Sequence, residues 1–84
     1  MRYAEQLLKK DLMCNLEIGR DVNDNIYLSY KNAYVSDGVV LVDVSGRGKT
    51  IELAAKDYID KINGKTLVFD GSDEKLTLVF IEEE

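Results

Sequence analysis

The sequence predicts a single α+β domain over residues 1–84, a mainly antiparallel sheet with two helices packed on it, in the order α-β-β-β-α-β-β. Three observations carry that prediction. Two stretches place apolar residues at the three-and-four spacing of a helix face. Several shorter stretches alternate with a period of two and are joined by brief Asn, Asp and Gly turns. The run Val39-Val40-Leu41-Val42-Asp43-Val44 is dominated by β-branched valine. Strands joined by short turns pair antiparallel, and the helices then cover the sheet.

Tyr3 to Met13 is expected to be the first helix. Ala4, Leu7, Leu8 and Leu12 fall on one face, and Glu5 precedes Lys9 by four residues on the other. At Cys14 the period changes to two: Cys14, Leu16 and Ile18 point one way, Asn15 and Glu17 the other. Asp21 to Asn25 is a turn, since Asn and Asp tolerate left-handed backbone and bond to their own main chain. Ile26 to Tyr30 resumes the alternation and completes a hairpin. Lys31 to Val35 either extends that strand or leaves it. Ser36-Asp37-Gly38 is a turn, and the run from Val39 to Val44 is expected to be a central strand with at least partial cover on both faces.

Ser45 to Lys49 reads as a flexible connector. Thr50 is placed to cap a helix running to about Ile62, with Glu52 in its first turn. Ile51, Ala54, Ala55, Tyr58, Ile59 and Ile62 form its apolar face. Glu52–Lys56 and Asp57–Lys61 are expected pairs on the wet face. Asn63-Gly64 supplies a left-handed stop. Lys65 to Phe69 and Lys75 to Ile81 are the last two strands, joined by the turn Asp70-Gly71-Ser72-Asp73.

Composition narrows the function classes. With 84 residues there is room for one core, and only about 60–65% of the unfolded chain's surface is buried on folding. A deep dry cleft beside that core is not expected. The net charge of −5 disfavours direct binding to nucleic acid or to anionic membranes, both of which need Lys and Arg. It favours a protein partner with a basic surface. The surplus is uneven: Met1 to Val42 has six acids and five bases, Asp43 to Glu84 ten acids and six bases. The single cysteine, Cys14, forms no internal disulfide, and no apolar signal core or bilayer-length stretch occurs. The expected location is the cytoplasm.

Five constellations invite chemistry. Gly46-Arg47-Gly48-Lys49-Thr50 follows an apolar strand and opens a helix, as a phosphate-binding loop does. The first glycine of that motif would fall at Asp43, so the residues read as a glycine turn and a threonine cap. Asp21, Asn23 and Asn25 match the first three ligands of a calcium loop. Ile26 and Asn32 stand where that loop needs Gly and Glu, leaving a plain turn. The carboxylates Asp57, Asp60, Asp73, Glu74, Glu82, Glu83 and Glu84 read as a solvated acidic surface able to imitate phosphate spacing toward a basic groove.

Histidine is absent, so Ser-His and Cys-His catalysis and His-based zinc ligation are excluded, and Cys14 reads as a small buried hydrophobe. Finally, Tyr27, Tyr30 and Tyr34 read equally as core packing or as an interface patch, with Tyr27 the most exposed. No enzyme activity, cofactor or metal is expected.

The segment from Gly48 to Phe69, a glycine turn, an amphipathic helix, a glycine stop and a strand, resembles a region of small proteins encoded by phages and prophages of Gram-positive bacteria. A strand, a Gly-x-Gly turn and an amphipathic helix are also similar to the sheet-and-helix domain of HicB-type antitoxins. The first resemblance implies an anti-defence protein of the anti-CRISPR kind, blocking a nucleic-acid site or the assembly of a host effector, possible partners including a Cas effector. Partner contacts are then expected from Asp57, Asp60, Asp73, Glu74, Glu82, Glu83 and Glu84, with Tyr27 or Tyr34 as anchors. The alternatives are an antitoxin-like or regulatory module, dimeric through an edge strand, and a small nucleotide-binding protein using Gly46 to Thr50.

Overall fold

Helix α1 (Arg2–Lys9) turns Tyr3, Ala4 and Leu7 inward. The computed structural model describes residues 2–9, 16–69 and 75–81. The stripe that docks is therefore the one through Tyr3, Ala4 and Leu7, and Leu8, expected on the buried face, is 56% exposed. Cys14 and Leu12 lie outside the described residues.

Strands β1 (Leu16–Arg20) and β2 (Ile26–Tyr30) form the expected antiparallel hairpin, with Arg20 opposite Ile26. Its turn is organised by one side chain. Asp21 Oδ1 accepts the N–H groups of Asn23 and Asn25 at 2.9 and 3.0 Å, while Asp24 takes a left-handed φ of +64°.

The ambiguous segment after β2 leaves that strand. Asn32, at φ +61°, turns the chain, and β3 (Ala33–Asp37) starts a second sheet. A two-residue turn at Gly38-Val39, with positive φ at Gly38 alone, returns the chain as β4 (Val40–Val42).

Here the expectation of a covered central strand fails. The second sheet has the order β4-β3-β6-β7, so β4 is its edge. Helix cover stops short of it, and Val40, Leu41 and Val42 are 55%, 54% and 38% exposed. The chain then crosses to the first sheet. Gly46–Gly48, expected as a flexible connector, is β5, paired with β2 in a sheet ordered β1-β2-β5.

Both glycines of β5 are required by its position under α2 (Ile51–Ile62). A Cβ on Gly46 would overlap the Ala54 carbonyl oxygen, and one on Gly48 would sit 2.7 Å from the Ala54 nitrogen. The missing side chains let strand and helix backbones touch.

Helix α2 matches its sequence pattern closely. Thr50 Oγ1 accepts the Leu53 N–H at 3.1 Å, and Ala54, Ala55, Tyr58, Ile59 and Ile62 are buried. Gly64, at φ +73°, ends the helix and donates its N–H to Leu78 at 2.9 Å. Asn63 Oδ1 accepts the Phe80 N–H at 2.9 Å, fastening the final segment across the helix end. The remaining strands are β6 (Thr66–Phe69) and β7 (Lys75–Thr77), antiparallel to each other. The alternation expected through Ile81 persists past β7, with Leu78 and Phe80 buried and Val79 and Ile81 exposed.

The described residues thus make one α+β domain with two helices and seven antiparallel strands in two sheets. One core joins them. Helix α2 packs on α1, β2 and β5, and its Tyr58, Ile59 and Ile62 share that core with Val35, Leu67, Phe69, Leu78 and Phe80. Among the described residues no helix is long and apolar enough to cross a membrane.

Candidate interaction surfaces

Strand register decides what each sheet presents outward. Leu28 and Tyr30 of β2 face the core, so Tyr27 faces away, opposite Gly19 on one side and Arg47 on the other. Its ring lies across the bare backbone of Gly19, where a Cβ would come within 2.6 Å of the phenol. Tyr27 is 38% exposed, in keeping with its expected place on the wet face. Tyr30 resolves as core: its edge meets Tyr58 at a centroid distance of 5.9 Å, its N–H donates to the Tyr58 hydroxyl at 3.1 Å, and its own hydroxyl donates to the Leu7 carbonyl.

Tyr34 stands on the second sheet, out of register with buried Ala33 and Val35 and opposite Val68. Lys75 continues that row on β7. Ser36 and Leu41 form the next row, on the same outer face. The helices cover the opposite side, so the outer face carries a half-buried phenol, a valine, an exposed leucine and a lysine.

The acidic residues divide. Asp57 Oδ2 accepts the Arg47 N–H and the Lys61 ammonium, both at 3.0 Å, and Lys61 also donates to the Ser45 carbonyl at 2.9 Å. This carboxylate ties β5 and its approach to α2. Burial alone would raise its pKa. The Arg47 N–H and Lys61 outweigh burial and hold it below the ordinary aspartate value of 3.8.

Asp60 is exposed and pairs with Lys56 at 3.6 Å. The expected pairing of Glu52 with Lys56 gives way to a longer-range one, because Glu52 accepts N–H groups at the start of α1. Asp73, Glu74, Glu82, Glu83 and Glu84 lie outside the described residues.

The two motif candidates are occupied by structure. In Gly46 to Thr50, the Arg47 N–H serves Asp57 and the Thr50 hydroxyl serves the helix cap. At the Asp21 turn, Oδ1 binds backbone and Oδ2 meets Arg47 Nη1 at 3.3 Å, while Asp24 pairs with Arg20 at 3.0 Å. Among the described residues no group of three or more potential metal ligands converges.

One surface was not singled out from the sequence. Beside β4 lies an open groove of about 520 Å³, floored by Val35, Val42 and Val44 and rimmed by Asp60, Lys61 and Lys65. No local signal marks it: a hairpin's return strand can end at an edge, as β4 does, or inside a sheet, as β2 does.

Compared with known protein families, with curated proteins and with solved structures, the chain matches none.

Proposed function

We propose that this protein is a non-enzymatic binding module that inhibits a bacterial defence effector, in the manner of an anti-CRISPR protein, by covering a nucleic-acid site or an assembly surface. One observation supports the reading above others: Tyr27 and Tyr34 both stand on sheet faces turned away from the helices. Tyrosine anchors interfaces because it buries a large rigid ring and keeps a hydroxyl to bond. The surplus negative charge adds attraction toward a basic groove, carried by Asp60 and by the acidic residues at 73–74 and 82–84.

The test is capture of partners from a bacterial lysate on the immobilised protein, followed by affinity measurements with the purified partner at low and high salt. Binding should weaken with salt, and Tyr27→Ala or Tyr34→Ala should lower affinity at least about tenfold. A partner whose affinity ignored salt and both tyrosines would refute the proposal.

A further inference from the structure

Strand β4 pairs with β3 on one side and is the outer strand of its sheet on the other. Edges of this kind are ordinarily blunted by a charged residue, a proline or a bulge. β4 is short and Asp43 follows it, but Val40-Leu41-Val42 itself carries no charge or proline, and Val39 before it is fully exposed. An apolar strand edge with its outer side open is a template for another strand.

We propose that the strand it accepts is its own copy: two molecules pair antiparallel through β4, about a twofold axis at Leu41, joining two four-stranded sheets into one. Three features of the edge select a second copy.

The first is that Val-Leu-Val reads the same in both directions. Antiparallel pairing centred on Leu41 sets Leu41 against Leu41 of the second copy, and Val40 against its Val42, twice over. An isologous interface requires such self-complementarity. Valine and leucine side chains directly opposite, with Cβ atoms about 4.5–5.5 Å apart, are favourable cross-strand pairs.

The second is the groove. Val42 shares a sheet face with buried Val35, its cross-strand neighbour, and lines the groove of about 520 Å³. The second copy's Val40, set opposite Val42 on the same face, enters that space. The twofold places this molecule's Val40 in the other groove.

The third is charge. The rim carries Asp60 together with Lys61 and Lys65. Both signs are present, so the rim meets its own copy without uniform repulsion.

The interface is small. A three-residue strand and one groove fall below the roughly 1,200 Å² typical of stable complexes. Each copy also carries a net charge of −5, which opposes association at long range. The dimer is therefore weak, with a dissociation constant on the order of 0.1–1 mM, and it strengthens as salt is added. Effector binding as proposed above weakens with salt, so failure of either idea is distinguishable from failure of the other.

Sedimentation velocity from about 10 μM to 1 mM tests the association across the expected range. Mass should rise toward that of a dimer and rise further with salt. Leu41→Lys sets like charges opposite each other across the axis and should weaken association at least about tenfold. Circular dichroism and a melting curve on that variant confirm that the monomer folds.

The register has its own readout. In a Cys14→Ser background, Leu41→Cys should cross-link to dimer under mild oxidation, while Val39→Cys, which faces Asp43 of the second copy, should cross-link far more slowly. A chain monomeric at 1 mM overturns the proposal, as does a dimer indifferent to a folded Leu41→Lys. Equal cross-linking at 39 and 41 overturns the register. Tight binding of an unrelated extended peptide at β4, without self-association, assigns the edge to another occupant and also overturns it.

Discussion

Glu52, in the first turn of α2, accepts the backbone N–H of Tyr3, in the first turn of α1, at 3.0 and 2.8 Å through its two oxygens. The Ala4 N–H adds a third bond at 3.1 Å. One carboxylate thus meets two of the unsatisfied donors at the start of α1, while favouring the dipoles of both helix starts.

Replacing this group should loosen α1. Glu52→Ala is expected to cost about 1–2 kcal/mol in urea unfolding, the range for a lost cap plus charge-assisted bonds. Glu52→Gln, which keeps an acceptor but no charge, should cost less. Hydrogen exchange at the amides of Tyr3 and Ala4 should quicken in both variants, and unchanged protection there would disprove the docking role.

The two glycines of β5 lead to a second expectation, with a control built into the fold. Gly46→Ala sets a methyl group against the Ala54 carbonyl and Tyr58, both on helix backbone or its stem, and neither can swing aside. Overpacking of this kind costs about 1–3 kcal/mol or more. Gly38, by contrast, has open space around its Cβ position and only a positive φ, +68°, to oppose a side chain. Gly38→Ala should therefore cost only about 1 kcal/mol. A midpoint ranking with Gly38→Ala the more damaging would contradict the close packing of β5 on α2.

The same glycines show how far the sequence could be read. Helix α2 was legible from cap to stop because its signals are local: a threonine cap, an apolar stripe and a glycine at positive φ. The first hairpin was legible for the same reason. Gly46 and Gly48 were misread because glycine marks both loose connectors and tight contacts, and only the tertiary approach of α2 distinguishes them. Val39 to Val44 was misread because a β-branched run records strand preference and says nothing of sheet order. Its cover depends on where α2 lies. Tyr27 was placed correctly by alternation alone, whereas Asp57 and Asp60, alike in sequence, differ because only Asp57 faces β5.

That difference sets the acid response. The folded-state pKa of Asp57 is depressed below 3.8, so its contribution to stability is fully present above the unfolded value and is lost as pH falls through the folded one. Asp57→Asn removes the charge that Lys61 and the Arg47 N–H meet. The site is partly open to solvent, which screens the ion pair, so the expected cost at neutral pH is about 1 kcal/mol. As pH falls below the unfolded value and through the lower folded one, wild type progressively loses the same interaction, and the two unfolding midpoints should draw together. Asp60→Asn is the matched control: Asp60 is exposed and its partner Lys56 lies 3.6 Å away, so the variant should lie within about 0.5 kcal/mol of wild type at either pH. Denaturant titrations at pH 7 and pH 3 settle the point. A gap between wild type and Asp57→Asn that stayed constant, or widened in acid, would show that Asp57 does not hold β5 to α2 through its charge.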